Sequence, residues 1–459
     1  MWRTFQSYIE DPVLGLLWAF GEWHVVITNP TDARFALAEA KPDILDKYQI
    51  QDVLPGTIIS KFLSNNIVTS EHSDWKRHRR VTNPAFARSA WDTEPIAQCT
   101  RHAMATIDAW TESSEHRLVN IHELMSGITI DVMGKLLFDT NFGAIDDSSN
   151  RFNTLYRRII TSIFNPVYML LPFLDTRWNP FRRQLYHDLD ELDELFYVIF
   201  QQKLANIKQA QDEGDETKSD LLTLLIKSCQ SEATDDDTKT WPLSVHEIKM
   251  DAILYYLASV DSSANALACA IYELARNQTL QDRARQEVMS ILGDDLSDAP
   301  TYHQQRQMEY LTMVIKETLR KYPSIAVVPT RRAKQDLILP STGQFVPRGT
   351  PILVWSWAIH NHPLFFSDPE VFDPARFSAS SGADAIYSAD HLGWMPFGGG
   401  RRACIGFSLA MTEMRTVLAM LLRKYRFRLR ECDMNSRLRF KLGVMLQPTN
   451  AMVVIEKIS

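Results

Sequence analysis

A mainly α fold with small β-sheets is expected of this sequence, on three observations. Runs with apolar residues at helical spacing dominate: SGITIDVMGKLLF, LDELFYVIFQQKLANIKQA and MEYLTMVIKETLRKY. Strand-like runs are few and short: HVVIT, TPILVWSW and AMVVIEK. The third observation is one very long helix. It opens at Ser244 with a capping box, Ser244-Val-His-Glu247, and meets neither Gly nor Pro before Asn277. That is roughly 33 residues, about three times the average helix. Its middle is polar, with Ser259, Asp261, Ser262 and Ser263 following the apolar ILYYLA. Two readings stay open: a polar stripe at a helix–helix contact, or a helix loosened where small molecules or water sit.

A chain of 459 residues has the length of about three ordinary domains. The two polar runs, 209–220 and 231–240, are short and read as loops inside one unit rather than as linkers. The 22 phenylalanines and 11 tryptophans exclude a disordered chain. A net charge of −7 gives a nucleic-acid partner no global support. The cysteines, Cys99, Cys229, Cys269, Cys404 and Cys432, are scattered and odd in number, which fits neither a disulfide framework nor a zinc site. A reducing, intracellular environment suits them best. Residues 13–20 are the most apolar candidate for a membrane span, but they are too short and run into Glu22 and His24. The start of the chain carries Arg3 and Glu10 and does not read as a signal peptide.

Chemistry concentrates in PFGGGRRACIGFSLA, around Cys404. Glycines lower the cost of bringing backbone close to something large and flat. The amides of Gly406 and Phe407 are placed to donate to the sulfur, and FSLAMTEMRTVLAMLLRKY reads as a helix starting just beyond it, whose N-terminus favours a thiolate. Such a thiolate is a nucleophile or a metal ligand. A nucleophile needs a neighbouring base, and the local sequence holds no His or Asp.

The run from Phe397 through Gly400, Arg402 and Cys404 to Gly406 resembles the haem-binding signature of the cytochrome P-450 family, Phe-x-x-Gly-x-Arg-x-Cys-x-Gly, and Leu409, Ala410 and Glu413 resemble its continuation. The resemblance implies the family's single-domain helical prism over residues 1–459 and a haem b whose axial ligand is the Cys404 thiolate. It also implies that Glu317 and Arg320 are buried with Arg376 in a charge network under the cysteine loop. Helical periodicity alone reads that pair as solvated, because the stripe Leu311, Val314, Ile315 and Leu319 lies on another face. Trp75 and Arg79 match the family's Trp-x-x-x-Arg spacing and, with Arg331 and Arg402, are implied partners of the haem propionates; Arg332 is adjacent to Arg331 and able to exchange roles with it. Asp261 and Ser262 are the implied acid–alcohol pair that delivers protons to bound dioxygen. Ser259 stands where the family has Gly, and Ser262 where it usually has Thr, which keeps the hydroxyl and loses the methyl. The histidines, His360 included, are isolated and read as structural or exposed.

The resemblance lies toward the eukaryotic microsomal branch and implies a monooxygenase that inserts one oxygen atom from O2 into a lipophilic small molecule. Its implied electron source is an NADPH-dependent flavoprotein reductase, with cytochrome b5 as a further donor. A docking face would gather Lys76, Arg77, Arg80, Arg401, Arg423, Lys424 and Arg426. Implied substrate walls are 50–69, about 159–173, the long helix, 325–330 and 443–446. The branch's membrane helix and proline-rich hinge are not in this sequence, which implies the cytosolic face of the endoplasmic reticulum for a trimmed form and the cytosol otherwise. Three alternatives remain: a peroxide-using enzyme or lipid-peroxide isomerase or dehydratase, a non-enzymatic haem-binding sensor, and a structural protein without haem in which Cys404 is an inert thiol.

Overall fold

The computed structural model describes residues 13–17, 22–47, 54–63, 66–86, 91–113, 117–163, 165–213, 220–232, 243–296, 298–378, 393–441 and 445–458. It is mainly helical with small sheets. The first part of the chain forms β1 (Val13–Leu17), β2 (Trp23–Ile27), α1 (Pro30–Arg34), a π-helical turn (Phe35–Glu39), β3 (Leu45–Asp46) and α2 (Ile58–Phe62). Then come α3 (His72–Phe86), α4 (Glu94–Ser113), β4 (Leu118–Asn120), α5 (Ile121–Phe138), α6 (Arg151–Ile163), α7 (Pro166–Leu170), α8 (Pro180–Glu213) and α9 (Leu221–Glu232). The long α10 (Val245–Arg276) is followed by α11 (Gln278–Leu292), α12 (Tyr302–Gln307), α13 (Glu309–Lys321), β5 (Val328–Ala333), β6 (Leu337–Ile338), β7 (Phe345–Val346), β8 (Pro351–Val354) and α14 (Ser356–His360). Last are α15 (Phe407–Lys424), β9 (Tyr425–Arg428), β10 (Phe440–Lys441), β11 (Gln447–Pro448) and β12 (Met452–Lys457).

The largest sheet runs β1-β2-β8-β5-β3, with β2 parallel to β8 and its other neighbours antiparallel. A second sheet, β4-β12-β9, closes the C-terminal end, and two strand pairs complete the β-structure. The run around β8 is longer in sequence than in structure. The strand stops at Val354 because Ser356 turns into α14, its Oγ 2.9 Å from the carbonyl oxygens of both Ile325 and Ala326. The expected loop from residue 209 is in fact helical as far as Glu213, and that from 231 as far as Glu232; residues 214–219 and 233–242 lie outside the described residues.

Helix α10 carries the capping box read from sequence: the Glu247 amide donates to Ser244 Oγ at 3.2 Å, and the Ser244 amide donates to Glu247 Oε2 at 2.7 Å. Every residue from Ser263 to Ala275 is buried, the pattern of a helix surrounded by core. The polar middle does not break it. Ser259 Oγ donates to the Tyr255 carbonyl and Ser262 Oγ to the Ala258 carbonyl, both at 2.7 Å, so these hydroxyls satisfy themselves on the preceding turn. The stripe reading applies one step further along. Ser263 Oγ donates to Glu413 Oε2 of α15 at 2.6 Å, and the His122 Nε2 of α5 lies 2.9 Å from Asn265 Oδ1.

One apolar core packs the second half of α10 against α4, α5, α13, α15 and the C-terminal sheet. Another packs its first half against α3, α6, α8 and α9, and a third lies on the large sheet. The turn bearing Asp261 and Ser262 lies where the first two cores adjoin. Among the described residues no helix is long and apolar enough to cross a membrane.

Candidate active site

The loop before α15 is shaped by its own backbone. Gly398 amide donates to the Met395 carbonyl at 3.0 Å, Ala403 amide to Gly400 at 3.1 Å, and Cys404 amide to Phe397 at 2.9 Å. Gly398 and Gly400 take left-handed backbone, φ +70° and +65°, which favours glycine. At Gly400 a Cβ would also run into the carbonyl oxygen of Leu37, so this glycine lets the loop sit on the π-helical turn. The sequence had suggested that all the glycines serve a flat partner; at Gly400 the close neighbour is the protein itself. Phe397 packs edge-on against Phe407, ring centroids 4.8 Å apart, at the start of α15.

Cys404 is exposed on one side while protein crowds it on the others. Burial pushes its thiol above the ordinary value, against the Gly406 amide and the Arg79 guanidinium, which pull it down. The helix terminus and amide therefore do not make a thiolate unaided; a cation at the sulfur would. No bond from the Phe407 amide to the sulfur accompanies that of Gly406. Among the described residues no three His, Cys, Asp or Glu side chains converge as metal ligands. An ion at Cys404 has to bring its other ligands, as a macrocycle does.

Cationic side chains gather beside the loop. Arg402 Nη2 donates to the Ser70 carbonyl at 2.9 Å and approaches Asp46 Oδ1 at 3.3 Å, and its guanidinium lies 4.8 Å from the centre of the Trp75 ring. Its Nη1 is buried with no hydrogen-bond partner. Arg331 donates to the Ala36 carbonyl, and burial next to Arg402 pushes it down to about 10. Lys47 is pushed down by burial, Arg331 and Arg402. Arg79 Nη1 reaches the Ala403 carbonyl at 3.4 Å. Arg332 faces elsewhere, bonding Glu22 Oε2 and the Gly349 carbonyl, both at 2.8 Å. Arg331 and Arg402 thus both draw on one carboxylate, Asp46. Asp46, Lys47 and Ser70 were not singled out from sequence, because nothing in their local pattern distinguishes them from any strand end or loop.

The structure brings Glu317, Arg320 and Arg376 together. Arg320 Nε and Nη2 donate to the two oxygens of Glu317 at 2.7 and 2.9 Å, both side chains fully buried. Arg376 Nε lies 3.5 Å from Glu317 Oε1. Arg320 Nη1 donates to the His360 carbonyl at 2.9 Å, and His360 Nε2 accepts from the Met395 amide at 2.7 Å. His360 is thus a structural link from this network to the start of the cysteine loop. Burial beside Arg320 pushes it down to about 3, so it stays neutral.

Asp261 is pushed up to about 6 by burial, which outweighs the pull of Tyr156 and Arg157 from α6. Glu413, named in sequence only as part of the signature's continuation, is pushed up to about 7 by burial against its bond from Ser263, and its Oε1 has no partner. Of the other walls named from sequence, Ile325 to Val328 are half-buried, Ile159 is buried and Phe173 is exposed; 50–53, 64–65 and 443–444 lie outside the described residues. The expected docking face needs correction. Arg423 is buried and bonded to the Gly293 and Asp295 carbonyls, and Lys424 and Arg426 are paired with Asp108 and Asp282. Lys76, Arg80 and Arg401 are exposed; Arg77 is exposed too but paired with Glu247.

Fold and loop together define a helical protein with one cysteine presented at the N-terminus of α15, the helix whose Glu413 meets Ser263 of the long α10. A family model described as "Cytochrome P450" matches residues 3–455, and the chain belongs to that family. It is 29% identical to "Probable cytochrome P450 6a23" of Drosophila melanogaster, over 80% of this chain and 71% of that protein. It is 30% identical to "Cytochrome P450 4F5" of Rattus norvegicus over 80% and 69%, and 28% identical to "Leukotriene-B4 omega-hydroxylase 3" of Mus musculus over 82% and 71%. The protein is an oxidoreductase of the cytochrome P450 monooxygenase class, and the family implies haem held by a cysteine thiolate.

Proposed function

We propose that the 459 residues act as one catalytic unit that binds haem b through Cys404 and inserts one oxygen atom from O2 into a lipophilic molecule. The observation that carries this reading is the cationic cluster beside the cysteine. Arg331 and Arg402 draw on a single carboxylate, Asp46, and Arg402 Nη1 is a buried donor without an acceptor. A planar anion with two carboxylates satisfies it. Arg402, Arg331 and Arg79, with Trp75 stacked on Arg402, would hold the propionates; Phe397, Gly400 and Gly406 shape the loop around the sulfur. When bound, the haem supplies the redox iron at which dioxygen is reduced, and the thiolate pushes electron density that favours O–O cleavage.

The chain's own part is proton management and orientation. Asp261, at about 6, both gains and gives up a proton near neutral pH. Ser262 Oγ rests on the Ala258 carbonyl, and a single side-chain rotation frees it to pass that proton on. The apolar stretches 325–330 and around Leu446 suit a lipophilic substrate, and one relative is named as a leukotriene-B4 omega-hydroxylase. Electrons would come from an NADPH-dependent flavoprotein reductase, with cytochrome b5 as a second donor, at the exposed Lys76, Arg77, Arg80 and Arg401. The resemblance to the microsomal branch supports work at the cytosolic face of the endoplasmic reticulum.

The test is the reduced carbon monoxide difference spectrum of the purified chain. A red-shifted Soret band characteristic of thiolate ligation is expected. A histidine-type or thiol-type band, or no haem, overturns the reading. One observation favours a second reading. Ser262 donates to its own helix, which suits a peroxide-driven enzyme that needs no relayed proton. Turnover with peroxide but not with NADPH and reductase would select it.

A further inference from the structure

Ser324 sits in the connector between α13 and β5 and is buried. Its hydroxyl donates to the Ser262 carbonyl at 2.8 Å, and its own carbonyl accepts from the Leu446 amide at 2.9 Å. The two following carbonyls are held as well. Ser356 Oγ lies 2.9 Å from the oxygens of both Ile325 and Ala326, and the Trp357 amide donates to Ala326 at 3.1 Å. Three successive peptide oxygens are therefore fixed by two other segments, while one side chain reaches back to the polar turn of α10. That turn spends the Ser262 hydroxyl on its own backbone, so Ser324 ties Ser262 to the apolar stretch from outside the helix.

We infer that Ser324 is a positioning residue: it holds the apolar wall 325–330 and the Leu446 segment in fixed register with the Asp261–Ser262 turn. Which atom of a bound substrate is oxidised, and how much of the electron supply ends in product, are set jointly through this one hydroxyl. A wall that drifts from the turn presents a different carbon and admits water beside Asp261. This role rests on the monooxygenase reading, but the tie itself does not need it.

The experiment compares Ser324→Ala and Ser324→Thr with the unmodified full chain by hydrogen–deuterium exchange and by turnover with lauric acid as the lipophilic probe. In Ser324→Ala, exchange is expected to rise about two- to tenfold both in 258–266 and around Leu446, the range one lost intramolecular hydrogen bond allows. Haem content and the carbon monoxide band stay unchanged, the ratio of hydroxylated isomers shifts, and product per NADPH falls; Ser324→Thr restores all three readouts. Ser356→Ala, which leaves the Ser324 hydroxyl in place, loosens the 325–328 stretch without the helix turn. Exchange in Ser324→Ala confined to 322–328, or an isomer ratio and coupling equal to those of the unmodified chain, overturns the proposal. If the unmodified chain makes no hydroxylated product from lauric acid, that result counts against the lipophilic-substrate reading alone, and the exchange data still decide whether Ser324 ties the segments.

Discussion

At Cys404 the sulfur is opposed by burial and helped by one amide and one guanidinium, so its charge state depends on what binds it. Cys404→Ser keeps the loop's shape and removes the soft ligand; the carbon monoxide band characteristic of thiolate ligation is expected to vanish while far-ultraviolet circular dichroism is retained. Asp261→Asn removes a group that exchanges protons near pH 6. Turnover with NADPH and reductase is expected to fall about 10²- to 10⁴-fold, the usual weight of a positioned acid or base. Glu413 offers a cleaner pH test. Its folded value, about 7, lies above the ordinary 4.5, so the stability it contributes is complete below the unfolded value and is lost as pH rises through 7. Glu413→Gln keeps an acceptor for Ser263 and has no such slope. Its unfolding free energy should match that of the unmodified chain at pH 4 and exceed it at pH 8.5 by on the order of 3 kcal/mol, with a higher melting temperature at pH 8.5. Equal melting curves at both pH values would refute the assignment. The identities of Cys404 and Asp261 as candidates were legible in sequence. The weight of Glu413 was not, because a lone Glu on a helix announces neither its burial nor the Ser263 hydroxyl it meets.

Among the elements, α3 and α10 act as a pair. His78 Nδ1 lies 2.6 Å from Asp251 Oδ2, and the Thr82 hydroxyl lies 2.9 Å from that of Tyr255. These bonds fix the helix that carries Trp75 and Arg79 against the helix that carries Asp261 and Ser262. Helix α13 shows where periodicity misleads. Its apolar stripe is buried as read, yet Glu317 and Arg320 on the other face are buried too, since Arg320 also donates to the carbonyls of His360 and Pro369. A charge pair buried in this way is costly to break from one side. Arg320→Ala strips the buried Glu317 carboxylate of its bidentate partner, with Arg376 left at 3.5 Å, and is expected to destabilise by about 3–5 kcal/mol. Denaturant unfolding of whatever soluble protein remains, with its haem content, measures it.

Over the whole molecule, charge is acidic on average but locally basic where Lys76, Arg80 and Arg401 are exposed. If electrons enter there, the rate of reductase-driven reduction falls steeply with ionic strength, and Arg401→Glu lowers it further at low salt. Peroxide-driven turnover, which needs no docking, should be indifferent to both. Stopped-flow reduction over a salt series separates the two. The helical class, the long capped helix and the loop that presents Cys404 are all legible along the chain. These rest on local chemistry: apolar period, a capping box, and a motif whose residues are close in the chain. Which arginine faces the cysteine loop, the burial of Arg423 and the bridge that Ser324 makes between three segments emerge only once the chain is folded. Those outcomes depend on residues far apart in sequence meeting at specific distances and on which charges lose water when they meet, and no local pattern records either.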